Sequence, residues 1–529
     1  MWSCRLGYAA TIVLAIAQSA TAIKPNGVPS LPESLRLKYG QVALSSSIQE
    51  LNVSVPVDHF HNETQYEPHS DDFFPLRYFL EPSYYKPGGP VIVIAAGEVT
   101  AEYRKPLLSD SVGALLARAT SGLLLVLEHR YYGSSFPVSD LSGSNYRFLT
   151  TEQAVADAAY FAQHAQFPGL EDQNLTSAST PWIIYGGSYA GAFAAIARKL
   201  HPDAFWGAIS SSGVTRAVYD YWEYNEAARL FAPGDCGPTM ANMTYVVDTA
   251  LFSSDSSKSG TIKGLFGSSS SVSDADFGSS IAHPSSAMQD ESWVQGGSDT
   301  TLDRYCATIT SGQLAYPGLE RSRATAEQLV QDAGLDKGSA TTLLNYVGLQ
   351  GRSNQKRLRA AQVQQRSAQL SDGGSWYYQT CTQWGFFISG SGVPASTRGI
   401  LSRAVTLDYA AGGCQQSFGV AGPPNVDSIN KLGGVNFSYP RVAVIDGKQD
   451  PWRAATPHRI GENADRQSTT EQPFILIDPA THHWDEDDVP ASQYKPGYPP
   501  KQIVDVHDQE VAFVKAWVKE FHDSKSGSS

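Results

Sequence analysis

Long apolar runs are missing from this chain. No segment after residue 22 reaches the ~18 consecutive apolar residues that would cross a hydrocarbon core about 30 Å thick, which argues against a membrane-spanning helix. Basic residues are short as well: 39 Lys and Arg stand against 52 Asp and Glu, a formal net charge of −13. Sequence-independent nucleic-acid binding is therefore disfavoured, because phosphate contacts need clustered cations. Charge as a whole is sparse, 17% of residues against 41% hydrophobic, so the chain is globular and not disordered. Cysteine is scarce, 5 in 529 residues, and no pair has the CxxC spacing of a zinc site. The length fits several domains, or one large domain carrying an insertion. The acidic balance suits a low-pH workplace, since protonation carries the surface toward neutrality and not toward strong self-repulsion.

The first segment is a targeting label. Arg5 precedes a short apolar core, Ala9 to Ala17, and then Ala20-Thr21-Ala22. A basic start, an apolar centre too short for a span and an A-x-A site predict a secretory signal over residues 1–22. The mature chain then begins near Ile23 and is secreted, or delivered to a vacuolar or lysosomal lumen, with no membrane anchor. Cys4 leaves with the signal. Cys236, Cys306, Cys381 and Cys414 remain, and in an exported chain they allow three disulfide pairings. Asn52, Asn62, Asn174, Asn242 and Asn436 sit in glycosylation sequons.

Continuous apolar runs at Val91–Ala95 and Leu123–Leu127 read as strands buried on both faces. Trp182–Tyr185 and Trp206–Ile209 are two more. Between them, Thr151–Ala165 is helical with Thr151 able to cap it, and Tyr189–Leu200 is helical up to Pro202. Strand and helix in alternation predict a parallel sheet covered by helices. The rhythm stops at residues 253–292, rich in Ser, Gly and Asp, which are expected to form a flexible or loosely packed excursion. Helical patterns follow at Thr325–Ala333, Thr341–Leu349 and Gln355–Leu370. Strands return at Val442–Ile445 and Phe474–Ile477, and Val511–Phe521 is helical. The predicted architecture is α/β: an α/β-hydrolase core over 23–213 and 426–529, interrupted by a mainly helical cap over 214–425.

The strongest local signal is Gly186-Gly187-Ser188-Tyr189-Ala190-Gly191, where a strand runs straight into a helix. That context is the one a nucleophile elbow requires, with Ser188 on a strained turn and small neighbours allowing close approach. The Tyr189 N–H then faces a developing oxyanion. A serine hydroxyl needs a base, and the base an orienting carboxylate. Asp446 and Asp450 follow one predicted strand. Asp446 can simply cap its turn, whereas Asp450, held before Pro451, is better placed to reach out. His482 and His483 follow the next strand, in the chain order expected of this fold. His482 is the favoured base and His483 a structural neighbour; the run His482 to Glu486 can also hold a metal loosely, but no third ligand at zinc-like spacing supports it. No metal or cofactor is expected. The second oxyanion donor is expected after Val91–Ala95, at a backbone N–H near Glu98, whose carboxyl either meets a substrate amine, carries a raised pKa or is an exposed loop acid.

Several segments together resemble the S28 serine peptidases: Pro56-Val-Asp-His-Phe60, Leu127-Glu-His-Arg-Tyr-Tyr-Gly133, Leu149-Thr-Thr-Glu-Gln-Ala154, the Ser188 turn, Trp376-Tyr-Tyr-Gln-Thr-Cys381, Asp450-Pro-Trp452 and His482-His-Trp-Asp485. They run in the family's order. The resemblance implies a triad of Ser188, Asp450 and His482 acting after proline in peptide substrates, disulfides Cys236–Cys306 and Cys381–Cys414, and activity at acidic pH. Gln383, Asp446 and the Ser-rich stretch depart from the family pattern and bear on substrate preference. Proline fixes φ and lacks an N–H, so its recognition falls to apolar walls. Tyr189 and Trp452 are near enough to form them, and Trp376 and Trp384 either add to them from the cap or pack as core. A carboxylesterase or lipase on the same scaffold, and an inactive binding protein of hydrolase fold, are the alternatives.

Overall fold

The structure is a computed structural model that describes residues 44–141, 143–281, 284–295, 301–350 and 372–526. The signal read over 1–22 and the helix expected over 355–370 lie outside these residues.

Eight strands form one sheet: β1 (Gln49–Pro56), β2 (Phe73–Glu81), β3 (Val91–Ala95), β4 (Leu123–Leu127), β5 (Trp182–Gly187), β6 (Gly207–Ser211), β9 (Val442–Gly447) and β10 (Phe474–Ile477). Their spatial order is β1-β2-β4-β3-β5-β6-β9-β10. β1 and β2 pair antiparallel at one edge, and every pair from β4 to β10 is parallel. Period-two alternation divides the strand side chains between two cores. Val91, Val93, Leu123, Leu125, Trp182 and Ile184 pack with helices Thr151–His164 and Tyr189–Leu200. Ile92, Ile94, Leu124, Val126, Ile183 and Tyr185 pack with Val112–Thr120 and the long Lys501–Ser526 helix. Because both faces are covered, β3 and β4 are buried at every residue. This is the α/β-hydrolase arrangement, with the carboxyl ends of the parallel strands along one edge.

The helix beginning at Thr151 is capped one residue earlier than expected. Thr150 supplies the oxygen that accepts from the Gln153 N–H, at 3.2 Å. The Thr151 hydroxyl instead meets Gln383 and Trp384. The Ser-rich stretch 253–292 also differs from expectation. It folds into helices Ser257–Leu265, Asp274–Ser280 and Ser285–Gln289, and buries Ile262, Phe277, Ile281 and Met288 in a third hydrophobic cluster. Those apolar residues are too widely spaced to show a period, yet each fills a gap between neighbouring helices. A short parallel pair, β7 (Val218–Asp220) and β8 (Gly385–Phe387), lies in the same half of the chain. Both disulfides of the implied pairing are formed, Cys236–Cys306 and Cys381–Cys414. They close loops of 70 and 33 residues, each worth about 4 kcal/mol in a chain-entropy account.

Beneath β5 and β6 lies a buried acid cluster. Asp485 accepts from the Ser211 hydroxyl at 2.6 Å and from the Tyr185 hydroxyl at 3.0 Å. Burial pushes its carboxyl up to about 7. Glu510, on the Lys501–Ser526 helix, is wholly buried and neither of its carboxyl oxygens has a hydrogen-bond partner. Burial first, and then nearby Asp485, raises it well above the usual carboxylate range. Glu486 faces Asp485, and His507 hydrogen-bonds the Asp485 carbonyl at 2.9 Å. Both carboxyls hold a proton more tightly in the fold than in the open chain, so the stability they contribute is complete below the ordinary carboxylate range and is lost as pH rises, through about 7 for Asp485 and well above the usual range for Glu510. Glu510→Gln, a neutral replacement, should raise the thermal midpoint at pH 8 by about 2 °C or more while changing it little at pH 4. Calorimetry at the two pH values checks this, and an equal shift at both would refute the assignment.

Candidate active site

β5 ends at Gly187 and the next helix starts at Tyr189, so Ser188 alone makes the turn, at φ 62° and ψ −125°. A non-glycine residue at positive φ is strained and persists only when its surroundings impose it. Here they do. A Cβ on Gly186 would stand 2.0 Å from the Ala190 carbonyl oxygen, and one on Gly191 2.8 Å from that of Ser211. Glycine at these points lets strand and helix cross in contact, and the Ser188 N–H donates to the Ser211 carbonyl at 2.9 Å. Tyr189 opens the helix, so its N–H is one of the donors an α-helix leaves without an internal acceptor, at the positive end of the helix dipole.

Asp450 sits in the loop after β9 and His482 in the loop after β10, both buried. The Asp450 carboxylate accepts from His482 Nδ1 at 2.9 Å and from the Trp452 N–H at 2.8 Å. Burial pushes the Asp450 carboxyl up, but the His482 imidazole and the hydrogen bonds of His482, Trp452 and Ser212 outweigh it and hold the group below the usual range. With Nδ1–H donating to Asp450, His482 keeps its other ring nitrogen, Nε2, as the acceptor. That atom is enclosed and has no hydrogen-bond partner. Asp446, the rival acid, bonds His458 Nδ1 at 2.6 Å instead. His483, at φ 37°, turns its ring away toward Glu486, with Nδ1 3.1 Å from the carboxylate, while its N–H donates to Ser212. Adjacent histidines thus face different acids, and the two rings do not converge on one ion.

Glu98 follows β3, where Gly97 lies against Ala190, so the loop expected to supply an oxyanion donor borders the serine turn. The Glu98 carboxyl is buried and not an exposed loop acid; Oε2 has no partner, and burial raises its pKa. A recess of about 320 Å³ opens here, lined by Glu98, Ser188, Tyr189, Val214, Gln289, Trp376, Phe386 and Trp452. Half of these residues are aromatic. Trp452 stacks on Tyr221 at 5.1 Å and meets the edge of Phe386 at 5.1 Å, and Tyr189 packs on Trp376 at 5.1 Å. Trp384 is not part of the lining: it is fully buried behind Tyr189 and Phe386 and donates its indole N–H to Thr151.

Val214, Phe386 and Gln289 were not legible as site residues. Phe386 holds φ 62° directly after Gly385 at φ 71°, a strained pair that follows a π-helical turn, Thr380–Trp384. The aromatic Trp384-Gly-Phe-Phe run was the available signal for it. Beneath Tyr189, a neutral network fixes the ring. Gln379 Nε2 donates to the Tyr189 hydroxyl at 2.8 Å, and Tyr132 donates to Gln379 Oε1. His129 gives its Nδ1 proton to the Arg130 carbonyl, so Nε2 accepts from Tyr189 at 2.9 Å. Burial pushes the His129 imidazole down to about 4, which keeps that acceptor neutral.

The arrangement is that of nucleophilic acyl transfer. A strained serine stands at a helix N-terminus and lines the recess, and an enclosed imidazole backed by a carboxylate lies in the loop after β10; no hydrogen bond joins Ser188 to His482 in this structure. Among the described residues, Asp58, His61 and His69 alone form a His/Asp group able to meet one ion, and none lines the recess. The family model "Serine carboxypeptidase S28" matches residues 56–494. A probable extracellular serine carboxypeptidase of Arthroderma benhamiae is 40% identical over 485 residues, covering 88% of this chain and 67% of that protein. Serine protease vicPa of Bipolaris victoriae is 27% identical over 95% of this chain and 93% of its own. A probable serine protease of Arabidopsis thaliana, EDA2, is 26% identical over 78% and 76% respectively. With the match spanning most of the chain and the fold that of a hydrolase, this protein belongs to the serine carboxypeptidase S28 family.

Proposed function

We propose that the chain is a serine peptidase that cuts on the carboxyl side of proline, with Ser188 as nucleophile, His482 as base and Asp450 as the group that orients it. One observation carries the reading: the strained Ser188 turn lines an aromatic recess, while the buried His482–Asp450 pair leaves Nε2 free. Ser188 Oγ attacks the carbonyl carbon of the scissile bond as its proton passes to His482 Nε2. The oxyanion is held by the Tyr189 N–H and a backbone N–H near Glu98. On collapse the C–N bond breaks, the leaving amine takes the proton from His482, and an acyl-serine remains. Water, deprotonated by the same imidazole, then hydrolyses the ester and restores Ser188.

Proline suits the recess because its ring is compact, apolar and conformationally fixed. Val214, Phe386, Trp376 and Trp452 offer it contact area without demanding a backbone N–H. The helical cap over 214–425 supplies Gln289, Trp376 and Phe386, a wall shared with the hydrolase core. The raised carboxyls of Asp485 and Glu510 make the fold more stable at acidic pH than at alkaline pH, which suits an enzyme of acidic compartments. Two disulfides, four exposed sequons (Asn52, Asn62, Asn174 and Asn436) and a half-buried fifth, Asn242, agree with export after cleavage near Ala22. Among the described residues no helix is long and apolar enough to cross a membrane.

Ser188→Ala should abolish cleavage after proline with an unchanged thermal midpoint, and turnover persisting in this variant would reject the assignment. Asp450→Asn should lower kcat about 10⁴-fold, because the amide favours the wrong imidazole tautomer. One proline-containing peptide, offered free and then blocked at each terminus, tests the substrate class by mass spectrometry of the fragments. Hydrolysis of simple esters with none of the prolyl peptides would favour the esterase reading instead.

A further inference from the structure

Gln289 brings a polar group into an otherwise apolar stretch of the recess, from the helix Ser285–Gln289 in the Ser-rich stretch. Its Oε1 accepts from Trp452 Nε1 and from the Tyr224 hydroxyl, both at 2.8 Å. An indole nitrogen can only donate, so the atom it meets is the amide oxygen and the side chain cannot be turned over. Tyr224 is buried, and burial raises its pKa well above the ordinary phenol range, which keeps the hydroxyl proton in place to donate. Both lone pairs of Oε1 are therefore taken. The Nε2 donors remain: among the described residues they meet no acceptor, and Nε2 is not one of the unpaired atoms sealed from solvent. They open onto the recess.

We propose that Gln289 is a specificity-determining donor, whose N–H takes the carbonyl oxygen of the residue that precedes proline in the substrate. The inference rests on the recess being the proline pocket. A peptide bond into proline offers a carbonyl oxygen and no N–H. A side chain with a donor free and its own oxygen taken is the complement of that bond. The N–H that any other residue brings finds no acceptor on Gln289, whose oxygen is already saturated. Trp452 and Phe386 select the ring by its shape, and Gln289 selects the amide by what it lacks.

The test uses an amino-blocked X-Pro peptide and its analogue in which the X–Pro amide is a thioamide, sulfur being a poor acceptor. In the wild type, the thioamide should lower kcat/KM about 10- to 100-fold, as expected for one lost hydrogen bond. In Gln289→Met the amide peptide should lose activity by a similar factor, and the thioamide should cost almost nothing further. Labelling of Ser188 by a small fluorophosphonate, which lacks the X–Pro group, reports in each protein whether the nucleophile is intact, and the thioamide-to-amide ratio is compared within each protein. Should Gln289→Met fail to fold, Gln289→Glu keeps the shape, puts an oxygen where the donor stood, and should give the same loss. Amide turnover within twofold of wild type in the variant, or an equal thioamide effect in both proteins, overturns the proposal while leaving the peptidase reading intact. A wild type that is neither labelled nor active on any prolyl peptide overturns both.

Discussion

The site depends on how tightly the helix after β5 crosses the strands beside it. A side chain at Gly186 or Gly191 would collide with backbone carbonyls that belong to the helix and to β6, so those atoms can come no nearer and, with glycine there, need stand no further away. The contact forces the one intervening residue into a conformation that costs about 1–3 kcal/mol. Five paired registers of β5 with β6 and a twelve-residue helix hold the strain in place. The same crossing sets three things at once. It sets Ser188 at the wall of the recess, aims the helix N-terminus, and brings the Gly97 loop against Ala190.

Around that turn, direction is imposed by pairing. His482 and His483 are neighbours with the same chemistry, yet the left-handed backbone of His483 itself separates them, one ring going to Asp450 and the other to Glu486. The tautomer of His482 follows from its partner being an acceptor, and the tautomer of His129 follows in the same way from the Arg130 carbonyl. The supports of Tyr189 are uncharged, so its position does not vary with the ionisation of nearby acids. Gln379 reaches it from the far half of the chain, and His129 and Tyr132 from the end of β4.

The strands that fill the centre of the sheet were legible because continuous apolar runs of β length have few other uses; β3, β4 and β10 have the predicted bounds. The positions of Ser188, Asp450 and His482 after strands were readable because each follows a continuous apolar run, and the geometry pairs Asp450 with His482 and sets Asp446 aside with His458. The cap of the helix at Thr151 was misplaced by one residue, since two adjacent threonines offer the same oxygen and only the backbone turn distinguishes them. Residues 253–292 were misread for a deeper reason. Their order comes from single apolar side chains docking into other helices, a tertiary effect that no local period records. Gln289 was invisible on the same account: a glutamine among serines carries no signal until two donors converge on it. Trp376 and Trp384 could not be told apart in the sequence, because an aromatic residue near a pocket reads alike whether it forms the wall or supports it; Trp376 lines the recess and Trp384 packs as core.

The recess is composite. Trp452 comes from the segment after β9, Tyr189 from the middle of the core, and Gln289, Trp376 and Phe386 from the chain between them. A nascent polypeptide that has emerged only as far as the serine turn holds Ser188 and Glu98 but neither the proposed base, His482, nor the walls formed by Gln289, Trp376, Phe386 and Trp452. The recess and the proposed triad are complete only once β9 and β10 have joined the sheet, so the order of the sequence places the assembly of the site at the end of folding.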